Sequence, residues 1–276
     1  MPTSPLPRRG ASPRAPVATA RSFWPYLLPI AVLAALTVAI SALPASLVTH
    51  FLPSGVHAED FSGSAWHGSA GRITVNARDA GALEWHLHPE ALLHLRIAAD
   101  LHWVKGGFVI DAIAEGDRHS LVASNIQGGG PIEDLRDFGV AAGWHGSAKV
   151  DVRELKAVFS GSEANIQSAV GDITVSDVAS SQVAAGADLG GYSLHFADAA
   201  MTPDADVTAV LTDTGGPVSV DAVIHFSAKN RSGMLSGTVK ERADAPAALH
   251  NQLDNLAQLH VRDSQGRIPV DLEFTF

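Results

Sequence analysis

Cysteine is absent from all 276 residues, which removes both a disulfide framework and any thiolate metal site. Charge is sparse at 17% of residues, and beyond the N-terminus it is one-sided. The first 22 residues hold four of the 19 basic residues and no acid, so the remainder sets 15 bases against all 29 acids. A chain so acidic lacks the basic patch that a phosphate backbone requires, which excludes a nucleic-acid partner. It is also not drawn to lie flat on an anionic bilayer surface. Aromatic residues are only 6% of the total, so each of the five tryptophans is a landmark.

One absence is local. No formally charged residue occurs between Arg21 and Glu59, and inside that interval lies the apolar run Phe23 to Leu43. About 20 helical residues cross a hydrocarbon core ~30 Å thick, so this run is long enough to span a membrane. Arg8, Arg9, Arg14 and Arg21 precede it, and the positive-inside rule then keeps the N-terminus cytoplasmic and sends the rest outward. The expected organisation is a disordered cytoplasmic tail over 1–22, a transmembrane anchor over 23–43 and an exported domain over 44–276. A cleaved signal peptide is the competing reading, since Ser41, Ala42, Ala45 and Ser46 are small, but its apolar stretch is usually only about 7 to 15 residues. Trp24 and Tyr26 suit an interfacial belt, and Pro44 marks the far end.

The exported part has a period of two. Leu83, Trp85 and Leu87 alternate with Glu84, His86 and His88, and Leu95, Ile97, Ala99, Leu101 and Trp103 alternate with His94, Arg96, Asp100 and His102. This pattern predicts neighbouring antiparallel strands, each with one apolar face. Similar runs recur to the end, separated by turn signals such as Lys105-Gly106-Gly107, Gly128-Gly129-Gly130-Pro131 and Gly190-Gly191. The fold expected is mainly β: one N-terminal transmembrane helix, then a large curled antiparallel sheet. Two segments break the pattern. Pro131 to Val140 reads as a short helix or corner, and Ala245 to His260 as an amphipathic helix with Leu249, Leu253, Leu256 and Leu259 on one side.

An internal echo divides the domain. Trp66-His67-Gly68-Ser69-Ala70 recurs as Trp144-His145-Gly146-Ser147-Ala148, each copy leading into an alternating segment. Two related half-sheets, about 60–130 and 141–276, are expected, each opened by a tryptophan at a glycine bend.

Residues with catalytic chemistry are scattered. His86, His88 and His102 could converge as zinc ligands, although histidines on the solvated side of a sheet explain them more simply. No nucleophile elbow joins a strand to a helix, and no phosphate-cradling glycine loop precedes one. No catalytic, cofactor-binding or metal residue is therefore assigned, and no cofactor is expected.

The order of landmarks resembles the type II secretion system protein N family. The residues that carry the resemblance are Pro44 at the end of the anchor, Gly63, Trp66 and Gly68 in the glycine and tryptophan block, Trp85 and Pro89 with Leu92-Leu93, and the closing Gly266, Arg267 and Pro269. Trp144 and Gly146 are their internal echo. The resemblance implies a non-catalytic, single-pass inner-membrane component of the machine that exports folded proteins across the outer membrane. Its periplasmic domain would act in assembly or scaffolding of the platform, with the other platform subunits as partners and the outer-membrane secretin as a further candidate.

Two other classes stay open: an anchored lipid-binding or lipid-transfer groove, and a periplasmic hydrolase. If the apolar positions of the sheet meet a facing sheet, scaffolding is favoured; if they line an open groove, lipid handling gains.

Overall fold

The computed structural model describes residues 42–52, 55–117, 119–160, 163–196, 207–227, 232–243, 245–259 and 262–275. The tail expected over 1–22 and all but the last two residues of the anchor expected over 23–43 lie outside them. Among the described residues no helix is long and apolar enough to cross a membrane.

The alternation read in the sequence produces one antiparallel sheet of fourteen strands. They are β1 (Val56–Gly63), β2 (His67–Val75), β3 (Arg78–Leu87), β4 (Ile97–Lys105), β5 (Phe108–Gly116), β6 (Ser120–Pro131), β7 (Trp144–Ser160), β8 (Glu163–Ser180), β9 (Val183–Asp188), β10 (Gly191–Phe196), β11 (Val207–Gly215), β12 (Val218–Ser227), β13 (Ser232–Glu241) and β14 (Ile268–Thr275). One helix, α1 (Ala247–Leu259), precedes the last strand. Every strand pairs with the next in sequence except β9, a short branch on β8 that leaves β10 to continue the path. The sheet is open: β1 and β14 are its two edges.

Directly paired residues share a face. One row can be followed through successive pairings across the whole path: Phe61, Ala70, Leu83, Trp103, Ile110, Gly128, Val150, Ile173, Leu194, Leu211, Ala222, Gly237 and Val270. No polar side chain interrupts it. The opposite face carries charge, as Lys149, Asp151 and Arg153 show between buried Ala148, Val150 and Val152.

No second sheet covers the apolar face among the described residues, and three short helical pieces pack on it instead. A 3-10 turn, Ala45–Phe51, brings Ala45 and Val48 onto Ala70 and Trp85. A second, Ile132–Phe138, sets Ile132 and Leu135 against Phe108 and Val150. Leu249 and Leu253 of α1 bury themselves against Val178, Val218 and Ile268. These patches make a thin core, in which alanines are many and Ile268 is the one large side chain fully buried among the described residues.

Strand direction alternates, so the turns fall at two ends of the sheet. The Ile132–Phe138 turn, β9 and α1 gather at one end, the crown. At the other, the base, lie the β1–β2 turn and a 3-10 turn, Pro89–His94.

Several expectations need correction. The strand expected from His94 begins only at Ile97, because Pro89 starts a 3-10 turn that ends with Leu95 in the left-handed region at φ 57°. Leu95 and Ile97 are consequently 90% and 58% exposed rather than packed with Leu101. Gly128-Gly129-Gly130, read as a turn, lies inside β6 and pairs on both sides. A Cβ at Gly128 would stand 2.0 Å from the Val109 carbonyl oxygen, so glycine here permits close strand approach. The short helix read at Pro131 to Val140 is present as the 3-10 turn Ile132–Phe138, closed by Gly139 at φ 105°. The strands on either side of it, β6 and β7, pair over eleven positions, so the sheet runs unbroken past it.

Candidate functional site: the base junction and the histidine face

The chain enters the sheet at its base. Leu43 accepts a hydrogen bond from the Ala65 N–H at 2.8 Å, and Pro44 bridges to Ser64 before opening the Ala45–Phe51 turn. Trp85 on β3 donates its indole N–H to the Ala65 carbonyl at 3.0 Å, tying the third strand to the first turn. Phe61 meets the same indole edge-on, with centroids 6.4 Å apart. Gly68 sits under the Trp85 ring and beside Ala45, and Gly63, at φ 79°, begins the turn. The Trp66 carbonyl accepts from the Leu87 N–H at 2.7 Å, and two residues later Pro89 starts the base turn. Six residues singled out in the sequence, Pro44, Gly63, Trp66, Gly68, Trp85 and Pro89, are thus brought to one corner.

The remaining landmarks lie elsewhere. Gly266, at φ 75°, and Arg267 belong to a turn organised by Asp263, which accepts from the Arg267 backbone N–H at 2.9 Å and from its Nε at 2.7 Å. Pro269 follows in β14, an edge strand that tolerates a missing donor. Trp144 opens β7 and packs with Val178 and Leu249, while Gly146 faces Ser176 and Ile132. In each copy of the echo the alanine is buried, Ala70 and Ala148 alike.

The histidine side of β2–β5 forms a hollow of 580 Å³ lined by His67, Glu84, His86, Asp100, His102 and Asp111. Its histidines pair off instead of converging. His88 Nε2 lies 3.0 Å from Asp100 with Glu90 on its other nitrogen at 3.4 Å, His102 Nδ1 lies 2.6 Å from Asp111, and His86 meets His67 edge-on. The hydrogen bond that the His88 imidazolium donates to Asp100 holds its pKa above the usual histidine range, partly offset by desolvation. No group of three such residues among those described has the arrangement to hold a metal ion. His86, His88 and His102, the zinc candidates of the sequence, are thus drawn to separate partners.

Two buried charge sites carried no local sequence signal, because their members come from distant strands. Lys105 Nζ is buried between Asp79 at 3.1 Å and Asp137 at 2.8 Å, joining β3 to the crown turn. Asp213 on β11 accepts from Ser219 Oγ at 3.1 Å, the Val220 N–H at 3.0 Å and Arg242 at 2.5 Å.

A single open antiparallel sheet with few helices defines a mainly β protein. The family model for type II secretion system (T2SS) protein N matches residues 54–271, from just before β1 into β14. The chain belongs to this family, and so to the components of the type II secretion system. No curated protein and no solved structure matches it.

Proposed function

We propose that this chain is a single-pass inner-membrane component of the type II secretion system that acts without catalysis in assembling the platform. Residues 23–43 anchor it, residues 1–22 lie in the cytoplasm, and the sheet stands in the periplasm. The observation that carries this reading is the family match over almost the whole sheet. The packed corner supports it: the indole bond to Ala65 and the Leu43 carbonyl bond give the strand meander a rigid start where the apolar run ends.

Partners would attach by strand addition at β1 or β14, the two ends of the strand path. Both edges are guarded against unspecific pairing. β1 is broken by Asp60 at φ 56°, and β14 carries Pro269, Asp271 and Glu273, so a partner must match them individually. Other platform subunits are the first partners to test and the secretin the next. Crosslinking in intact membranes, followed by identification of attached proteins, is the test; recovery of no platform subunit would sink the proposal.

One observation favours lipid handling as a second reading. The apolar row meets no facing sheet among the described residues, and at the base Ile97, Ile166, Leu272 and Phe274 are 58, 44, 56 and 38% exposed. A surface of this kind can shield acyl chains. Extraction of the purified chain for bound phospholipid tests it, and a lipid-free protein would exclude it.

A further inference from the structure

Large exposed apolar residues are not spread evenly over the sheet. Leu92, Leu93, Leu95, Ile97, Ile166, Met234, Leu272 and Phe274 are toward the base, as is Leu47 beside Pro44, whereas Val75 and Phe138 lie away from it. The densest group is the Pro89–His94 turn with the residues that follow. Leu92, Leu93, Leu95 and Ile97 are 44, 84, 90 and 58% exposed. Leu95 is also held in the left-handed region, a conformation costly for leucine, by hydrogen bonds from its N–H to the Ala91 and Leu92 carbonyls and from the Arg96 N–H to Ala91. The strain points a leucine at solvent where packing would normally turn it inward.

Two further observations identify what meets this loop. The first is where the chain leaves the described residues: Leu43, the last residue of the apolar run, is fastened to Ala65 in the turn beside Trp66, whose carbonyl binds Leu87 two residues before the loop. The loop and the end of the run share one end of the sheet. The second is charge. A hollow of 520 Å³ beside the loop is lined by Ala91, His94, Arg96, Ala98 and Glu115. It offers the Arg96 guanidinium and the His94 imidazole for a phosphate and the Glu115 carboxylate for an ammonium group, which is the pattern of a zwitterionic phospholipid headgroup.

We infer that the loop from Pro89 to Ile97 inserts into the surface of the bilayer that holds the anchor, with Leu92, Leu93 and Leu95 among the acyl chains and Arg96 and His94 at the headgroup phosphates. The occupant is phospholipid, and the inference rests on the reading of residues 23–43 as a membrane anchor. Insertion sets the sheet upright, with its base on the membrane and its crown away from it. Interfacial insertion of a few leucines is weak alone and becomes effective when a covalent anchor holds it at the surface.

The absence of cysteine makes the test clean. Full-length protein carrying a single Leu93→Cys, Phe138→Cys or Ala34→Cys is labelled with an environment-sensitive fluorophore. It is then reconstituted in phosphatidylethanolamine and phosphatidylcholine vesicles with or without a lipid-borne quencher. Leu93 and Phe138 are 84 and 54% exposed, and urea denaturation of each labelled protein checks that the fold survives, Phe138 giving up an edge contact with Trp103. The expected result is a blue-shifted label at residue 93, quenched to at least half the extent seen at residue 34, and an unshifted, unquenched label at residue 138. Quenching at 34 with residue 93 behaving like residue 138 overturns the inference and leaves the anchor standing. A blue shift at 93 without lipid quenching means burial against protein and also overturns it. No quenching at 34 removes the anchor reading and this inference together.

Discussion

The indole of Trp85 lies so close over Gly68 that a Cβ on residue 68 would stand 2.7 Å from Cζ2. The same methyl would come within 2.5 Å of the Ser64 carbonyl oxygen and 3.0 Å of the Ala45 Cβ. Glycine at this position lets β2, β3 and the first 3-10 turn meet at one point, and the neighbours include backbone that cannot step aside.

Gly68→Ala should therefore destabilise the domain by about 1–3 kcal/mol, the usual cost of overpacking. Urea denaturation of the detergent-solubilised protein measures it. An unchanged midpoint would mean that the corner is looser than its geometry indicates.

Trp85 supplies both apolar bulk and a donor, and two substitutions separate them. Trp85→Phe removes the 3.0 Å bond to the Ala65 carbonyl and should cost about 1–2 kcal/mol. Trp85→Ala also empties the site and should cost about 3–5 kcal/mol. Equal losses would show that packing contributes little here.

Asp213 gives an acid-side prediction. Burial opposes its ionisation, but hydrogen bonds from the Val220 N–H, Arg242 and Ser219 outweigh this and hold the carboxyl below its ordinary value. A depressed folded value gives stability that is present above the unfolded pKa of about 4 and is lost as pH falls through the folded one. Asp213→Asn should lower stability at neutral pH by roughly 1–3 kcal/mol and flatten the decline in acid. Parallel pH–stability curves for the two proteins would contradict this.

His250 behaves oppositely. The hydrogen bond that its imidazolium donates to the Glu241 carboxylate, with Asp254 adding attraction, holds its pKa above the ordinary histidine range. The contribution is complete below the unfolded value of about 6.5 and is lost as pH rises through the folded one. Titration followed by NMR should show His250 deprotonating later than a peptide histidine, and Glu241→Gln should bring it down.

Much of this architecture was legible in the sequence where burial of one face imposes a period of two. Leu83, Trp85 and Leu87 alternate with Glu84 and His86 because Trp85 packs with Leu83 and Leu101. The helix carrying Leu249 and Leu253 was legible for the same reason at a different period, since both residues are buried. β1 was missed because Asp60 takes a left-handed conformation and breaks its alternation. The start of β4 was misplaced because Leu95 and Ile97 continue the apolar period while facing solvent. The glycines of β6 signal a turn locally, and only the neighbouring strands explain them.

The corner was recognisable as a set of landmarks but not as one place, since Pro44, Gly68 and Trp85 meet through pairings that no local pattern specifies. Lys105 and Asp213 were invisible for the same reason, their partners coming from other strands and turns.

Crosslinking of the full-length protein in intact membranes, with mass spectrometry of whatever is attached to its sheet, tests the central claim most directly. The account predicts platform subunits of the type II secretion system, attached through β1 or β14. Attachment of phospholipid with no protein partner would contradict it and put lipid handling in its place.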